Sequence, residues 1–442
     1  MLRKFIYGLC LVALLVIAGG YGYLHTKLPQ RSGEIVLPGL KHKVQVLFDE
    51  WAVPHIEAQN EQDAFLALGY LHAQDRLFQL ELMIRVAQGR LSEILGEDML
   101  DADRYFRTLG ISRFAETYAK DYFHKNPQNV KDALKAYLSG LNAFVSGGPT
   151  PIEFTLLGIP KREYTIKDLI CTGVYMSYTF TNAVRQDPLI TYIHNTFGAG
   201  YLKDLAVYWP EDDTKINVSG KSSGSALELA ELSFEIANVL SQVPPFFGSN
   251  SWVVSGSRTK SGKVIFANDP HIGYAAPSTW YEAHLKTPDW ELYGHHIAGI
   301  PFAIIGHNRR MAWGVTMLQN DDLDFYLEHT NPDNPDQVWF RDDWEDLRII
   351  EETIPVRDSE DYPLRIRISR HGPVINDVLE PVKERVKQPV ALSWQMLSDF
   401  ENSTEQVFYE LGHSKTLADT QAAVSKLHAP GLNISYGDAE GN

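Results

Sequence analysis

The pattern of apolar residues changes near residue 248, and this change constrains the fold more than any other feature of the chain. Before it, apolar residues recur at helical spacing, as between Ala67 and Glu81. After it, short runs such as Trp252 to Ser255 and Val264 to Ala267 read as strands. The sequence therefore predicts an α+β protein with a large layered sheet core.

Further strands are predicted on both sides of the helical part. The alternation at Lys43 to Asp49 predicts one strand before the helix that begins near Glu61. The others follow residue 249, at Trp280 to Leu285, Glu291 to Gly294, Met311 to Thr316, Val338 to Arg341, Leu347 to Val356 and Leu364 to Ile368.

Length and charge limit the function classes. A chain of 442 residues with 44% hydrophobic content can bury a large core. Its net charge is −16 and its pI is near 5.4. Because binding to phosphate backbones requires clustered Lys and Arg, a nucleic acid is excluded as the expected partner.

The N-terminus carries a strong local signal. Arg3 and Lys4 precede an uncharged run from Phe5 to Leu24. Such a run is typical of a secretory signal or of a membrane anchor, and no clear Ala-x-Ala cleavage site follows it. We therefore assign residues 1–27 to a signal peptide or N-terminal membrane anchor, and expect the rest to be periplasmic or otherwise exported. Cys171 is the only cysteine of that part, so no internal disulfide can form.

The Gly248-Ser249-Asn250 stretch lies where the pattern changes. A serine after glycine is usually an ordinary turn residue. If the chain is cut before Ser249, however, that residue carries a hydroxyl nucleophile together with an α-amino group whose reference pKa is about 7.7–8.0, which suits a base near neutral pH.

Other chemistry remains open on the residues alone. Several histidines follow Ser249, at His271, His295, His296 and His307, but no His-Glu-x-x-His motif or cysteine cluster marks a zinc site. The acidic run from Asp321 to Asp324 suits Ca²⁺ or a solvated turn. A Ser/His/Asp triad lacks the Gly-x-Ser-x-Gly elbow.

Several motifs in order resemble those of the penicillin acylase family of N-terminal nucleophile hydrolases. They are Asp49-Glu-Trp-Ala-Val-Pro-His55, Gly69-Tyr-Leu-His-Ala-Gln-Asp75, Gly248-Ser-Asn250, Asn268-Asp-Pro-His271, Gly306-His-Asn308, Trp313-Gly-Val-Thr316 and Asp321-Asp-x-Asp324. The resemblance covers nearly everything after the N-terminal apolar segment. It implies a four-layer αββα fold.

The resemblance also implies a precursor that cuts itself between Gly248 and Ser249. It predicts an α-subunit portion at residues 28–211, a spacer at 212–248 and the N-terminal part of a β subunit at 249–442. The product would be an α/β heterodimer made from one precursor. Because family members continue further, the second oxyanion donor, an Asn, and a supporting Arg are expected beyond residue 442.

Three residues would carry the implied reaction. Ser249 Oγ would attack the carbonyl of a small N-acyl amide, such as a β-lactam side chain or an acyl-homoserine lactone, while its own α-amine acts as base through a water molecule. His271 would orient that amine through its carbonyl or its ring. The backbone N–H of Met317 would donate to the oxyanion, an interaction worth about 3–4 kcal/mol.

The resemblance assigns pocket residues as well. Met176 and Phe180 match acyl-pocket positions, and Ile272 and Ile305 replace two aromatic residues of that pocket. We therefore expect an aliphatic acyl chain to fit as well as a phenylacetyl group.

It also assigns a structural calcium ion and no organic cofactor. The matched ligands are Asp321, the Leu323 carbonyl and Asp324. Gln186 stands where the family has Glu, with Asp187 next to it.

Two alternatives to this hydrolase remain. One is a non-catalytic envelope or periplasmic protein that keeps the fold, which would stay uncut before Ser249. The other is a metal-dependent hydrolase that uses His271 and other histidines, which would survive Ser249→Ala and lose activity with chelators.

Overall fold

The computed structural model describes residues 2–181, 183–205, 246–318, 322–379, 388–401 and 403–442. Most of the predicted spacer lies outside these residues. Helices fill the part before residue 206 and strands dominate from residue 246 onward, so the predicted α+β class is confirmed. The helices are α1 (Leu2–His25), α2 (Glu61–Gln88), α3 (Ser92–Leu95), α4 (Leu100–Leu109), α5 (Ile111–Thr117), α6 (Gln128–Gly147), α7 (Ile152–Leu157), α8 (Ile166–Thr179), α9 (Ala183–Phe197), α10 (Ala199–Asp204), α11 (Gln395–Ser398), α12 (Thr404–His413) and α13 (Leu417–Val424).

The strands follow the predicted pattern, with short additional strands between them. They are β1 (Gln45–Phe48), β2 (Pro54–Glu57), β3 (Phe246–Val254), β4 (Ile265–Ile272), β5 (Trp280–Lys286), β6 (Glu291–Ile297), β7 (Ile300–Asn308), β8 (Met311–Met317), β9 (Leu323–Leu327), β10 (Thr330–Asn331), β11 (Asn334–Phe340), β12 (Asp343–Asp346), β13 (Arg348–Ile354), β14 (Tyr362–Ile368), β15 (Val390–Trp394) and β16 (Leu432–Asp438).

One seven-stranded sheet joins the two halves of the chain. Its strand order is β1-β2-β5-β6-β7-β8-β16. Strand β2, from the first half, pairs in parallel with β5, from the second, with His55 opposite His284. The two predicted subunit portions are therefore connected by backbone hydrogen bonds within a single sheet.

Helices cover one face of this sheet. Helix α2 begins at Glu61, as predicted, because the Asn60 side chain accepts a hydrogen bond from the Asp63 N–H, and it ends at Gly89 in the left-handed region. It packs very closely on α6, since a Cβ at Gly69 would lie only 1.9 Å from the Tyr137 carbonyl oxygen. This close pairing fixes the helical layer above β5 and β7.

The charged residues of α2 have polar or charged partners. Asp75 accepts hydrogen bonds from Arg31 and the Tyr281 hydroxyl. The buried Glu81 pairs with Arg85 at 2.8 Å.

The β3–β4 hairpin packs on the face of β8 and β16 turned away from the helices. A Cβ at Gly314 would lie 2.7 Å from Asn268 Oδ1, and a Cβ at Gly437 would lie 2.8 Å from Val264. Helices, large sheet and hairpin therefore follow one another as successive layers.

Helix α1 stands apart from this body. It is fully exposed, and Arg3–His25 is long and apolar enough to cross a membrane, with a mean hydropathy of 2.1. A signal sequence passes the same test. The helix therefore fits the predicted signal or anchor.

Candidate active site

Ser249 lies in the middle of β3, next to an irregularity in the hairpin. Gly248 has φ +153°, and the β3–β4 register shifts between Phe246 and Gly248. Ser249 is opposite Pro270, which has no N–H to donate. The bond that the sequence marks for cleavage therefore lies where the glycine has a backbone conformation that other residues rarely adopt.

Strand β8 supplies a donor to Ser249 because it separates from β7. The two strands pair only at Gly306 opposite Trp313 and at His307 opposite Ala312. Beyond Trp313, the N–H groups of β8 that point towards β7 are therefore available to other partners. The Met317 N–H donates to Ser249 Oγ at 3.2 Å. The sequence-predicted nucleophile and oxyanion donor are thus in direct contact.

Asn268 ties the hairpin to β8. Its side-chain oxygen accepts from the Val315 N–H at 3.1 Å, and its amide group donates to the Val315 carbonyl at 3.1 Å and to the Asn250 carbonyl at 3.0 Å. Gly314 leaves room for this side chain. Asn268 thereby fixes β3 and β8 relative to each other, two residues from the Met317 donor. Asn268 belongs to a sequence motif, but the motif alone indicates no role for it.

His271 lies opposite Gly248 and is exposed at the edge of the site. Its Nε2 is 3.0 Å from Asp269 Oδ2 and 3.4 Å from Asn250 Nδ2, and its side chain is 42% exposed. The ring is therefore in contact with both solvent and a carboxylate, while its backbone stays in the β4 ladder.

An apolar cavity lies in the split between β7 and β8. Ile304 on β7, Val315 on β8 and Leu432 on β16 line it. Leu432 is directly opposite Met317 in the β16–β8 pairing. The cavity therefore extends to the strand position that carries the donor to Ser249.

Two of the four predicted pocket residues line this cavity. Met176 and Phe180, from α8 and its C-terminal end, are in its wall. Ile272, at the end of β4, and Ile305 are half-buried outside it. Ile300, Pro301, Phe302 and Ile304 of β7 are in the wall. Ile305 follows Ile304 and lies outside it, since successive side chains of a strand point to opposite faces. The substrate role of all four remains a prediction.

The predicted calcium ligands are only partly visible. Asp321 lies outside the described residues. Leu323 is buried and Asp324 half-buried on β9, against which α9 packs, and Gln186 on α9 is exposed. Within the described ranges no group of three or more His, Cys, Asp or Glu residues could hold a metal ion. Those residues alone do not complete a calcium shell, and the ion remains a prediction.

The other histidines do not converge on Ser249. His296 is fully buried beside His72 of α2, with ring centroids 5.9 Å apart. His307 stacks on Tyr293 at 5.5 Å. In the part of the chain that the structure describes, His271 is the member of the predicted histidine group that lies beside the serine.

A comparison with protein families adds a second kind of evidence. The model of the family described as penicillin amidase matches residues 43–442. The chain belongs to the penicillin amidase family.

Its relatives in this family include two kinds of acylase. The acyl-homoserine lactone acylase QuiP of Pseudomonas aeruginosa is 27% identical over 96% of this chain and 52% of its own length. Penicillin acylase 2 proenzyme of Pseudomonas sp. strain SE83 is 33% identical over 81% of this chain and 47% of its own. The chain spans about half the length of these curated relatives. Thermostable penicillin G acylase of Alcaligenes faecalis is similar in structure over 43% of this chain and 33% of its own, with 24% identity and a TM-score of 0.39.

Proposed function

We propose that this chain is the precursor, or part of the precursor, of an exported amide hydrolase whose nucleophile is Ser249. The observation that carries the proposal is the 3.2 Å hydrogen bond from the Met317 N–H to Ser249 Oγ. An alcohol that attacks a carbonyl next to such a donor forms its oxyanion within reach of that donor. Membership of the penicillin amidase family and the names of the relatives support an acylase.

The first reaction is self-cleavage. Ser249 Oγ attacks the Gly248 carbonyl, the bond to the Ser249 nitrogen breaks, and water releases the new carboxylate from the resulting ester. A glycine suits the position before the cleaved bond, because its backbone conformation with positive φ is costly for residues that carry a side chain. Cleavage turns a peptide nitrogen without basicity into an amine whose reference pKa is about 7.7–8.0.

The second reaction acts on an N-acyl amide. The α-amine takes the Ser249 hydroxyl proton through a water molecule, Oγ attacks the acyl carbonyl, and the amine product leaves with a proton. Water then hydrolyses the acyl-enzyme and releases the acid. Met317 donates to the oxyanion in both steps, Asn268 holds the donor strand, and His271 orients the amine.

The cavity supports an apolar acyl group. Its volume is about 80 Å³. Its wall is apolar at Met176, Ile304 and Val315. An aliphatic acyl amide is therefore our proposed substrate class, with the lactone and β-lactam amides of the relatives as first candidates.

The processing test comes first. We expect the purified natural protein to show two subunits on a denaturing gel, with Ser249 as a new N-terminus by mass spectrometry. Ser249→Ala should remain a single chain without amidase activity. Ser251→Ala is the matched control, because Ser251 lies on the same strand and bonds only the Ala267 carbonyl, and it should be cut normally.

Opposite results identify the alternatives. An uncut wild-type chain without amidase activity favours a non-catalytic envelope protein. Activity that survives Ser249→Ala and is lost with chelators favours a metal-dependent hydrolase. A strong preference for phenylacetyl over medium-chain acyl amides contradicts the aliphatic substrate class.

Export is tested separately. Fractionation of the native host should place the protein outside the cytoplasm, and N-terminal sequencing should show whether residues 1–27 are retained. Retention in a membrane fraction supports an anchor, and recovery in the cytoplasm contradicts export.

A further inference from the structure

One carboxyl group lies in the wall of the apolar cavity. Glu405, in the first turn of α12, lines the cavity together with Met176, Phe180 and Phe408. It is half-buried, so part of its surface faces open space although its surroundings are largely apolar. A carboxyl group in such a wall is costly unless it finds a polar partner.

The described residues give Glu405 little compensation. None of them forms an ion pair with it, and the hydrogen bond that offsets its burial comes from its own backbone N–H. Burial raises its pKa. By contrast, Glu410 on the same helix contacts Lys426 at 2.5 Å. The helix thus carries one glutamate with a charged partner and one that faces the cavity without one.

A tyrosine in the cavity wall interacts electrostatically with Glu405. Tyr118 also lines the cavity, and burial followed by the nearby Glu405 charge raises its pKa. Its hydroxyl already accepts a hydrogen bond from Asn126 Nδ2 at 3.1 Å. Together with Ser177 and Thr404, which also line it, the two residues give a largely apolar cavity a polar part of its wall.

A hydrogen bond connects this polar part of the wall to the segment before β16, the strand that pairs with β8. Thr404, next to Glu405, donates through Oγ1 to the Ala429 carbonyl at 3.0 Å. Ala429 precedes Leu432 by three residues, and Leu432 is opposite Met317. An acyl chain whose carbonyl lies at Ser249 and whose body fills the cavity therefore has Glu405 along its length.

We propose that Glu405 determines specificity by hydrogen-bonding a hydroxyl group on the acyl chain of the substrate. This inference rests on the proposed function, since it names the acyl chain that the same site prefers. A hydroxyl group pairs with a carboxyl group in either protonation state, because it both donates and accepts. A site built to pair such a group discriminates against the analogue that lacks it, because the buried carboxyl is then left without a partner.

The test compares matched substrates. We would measure kcat/KM for octanoyl p-nitroanilide and for counterparts with a hydroxyl moved along the chain. We expect the natural protein to prefer the best hydroxylated substrate at least about tenfold. Glu405→Leu should abolish or reverse this ratio, and Glu405→Gln, which still hydrogen-bonds, should keep part of it. Glu410→Gln is the control on the same helix and should keep it fully.

A binding measurement covers variants with poor turnover. Calorimetry with octanoic acid and the preferred hydroxy acid should show tighter binding of the hydroxy acid to the natural protein and equal binding to Glu405→Leu. An unchanged ratio in Glu405→Leu, or a preference for an amino-substituted acyl chain, overturns the proposal. If no acyl amide is hydrolysed and Ser249 is never freed, the proposed function itself has failed, which is a different result.

Discussion

The regions around His271 and His296 differ in burial. The difference distinguishes a candidate site residue from a residue of the core. His271 is 42% exposed beside Ser249 and contacts a carboxylate. His296 is fully buried under the helical layer, near His72, whose Nδ1 is 2.8 Å from the Tyr137 hydroxyl. Burial lowers the pKa of His296 to about 3. The same kind of side chain thus lies at the exposed edge of the candidate site in one place and is a neutral core residue in the other.

The largest effect that separates the two regions is on stability against acid. The folded pKa of His296 lies below its ordinary value of 6.5. Its contribution to the free energy of unfolding is therefore complete above about pH 6.5. This contribution is lost as the pH falls towards 3, by up to about 4 kcal/mol. Urea unfolding at a series of pH values should show a flatter dependence in His296→Leu. A dependence in His296→Leu as steep as that of the natural protein contradicts this expectation.

The second expected effect is on the rate of the proposed reaction. It concerns the contact between the β3–β4 hairpin and β8, beside the exposed His271. Asn268→Ala removes the bridge between the hairpin and β8, so Met317 is no longer held against Ser249. We expect turnover of an acyl amide to fall on the order of 10²-fold, the size reported for the loss of an oxyanion donor, with little change in the free energy of unfolding.

A remote asparagine provides the control. Asn331→Ala removes a side-chain hydrogen bond to Gln337 within the β10–β11–β12 sheet, which does not contain β8. This substitution should leave turnover unchanged. If both variants lose activity equally, or if Asn268→Ala unfolds the protein, then Asn268 has a general structural role and not a positioning role.

The smallest effect is expected at His271 itself. His271→Gln keeps the backbone carbonyl in β4 and a hydrogen-bonding side chain, so kcat should fall less than about tenfold. A loss comparable to that of Ser249→Ala would show that the imidazole takes part in proton transfer. The pH profile of kcat distinguishes the two roles, since only a ring that transfers protons changes its shape when replaced.

The periodicity of apolar residues is sufficient to predict the helices and strands, but not how the strands pair. The helix at Glu61 and the strands after Ser249 follow from local patterns and capping residues. The pairing of β2 with β5 joins residues more than two hundred positions apart, and no local pattern encodes such a partner.

Local sequence patterns are also insufficient to predict which single residues form the candidate site. The contact between Met317 and Ser249 was predictable only because the motifs resemble a known family. The resemblance assigns Ile305 to the pocket, and the structure shows its neighbour Ile304 in the cavity wall, because a strand turns successive side chains to opposite faces. Glu405 gave no signal at all, since a glutamate in the first turn of a helix normally stabilises the helix in solvent.

The separation of β7 from β8 also bears on how such a protein can evolve. The donor that faces Ser249 is a backbone N–H, which a change of side chain at Met317 does not remove. The cavity, by contrast, is made of side chains, among them Ile304 on β7 and Val315 on β8. If the proposed reaction occurs, substitutions there would change which acids are released, while the backbone donor at the serine would be inherited unchanged.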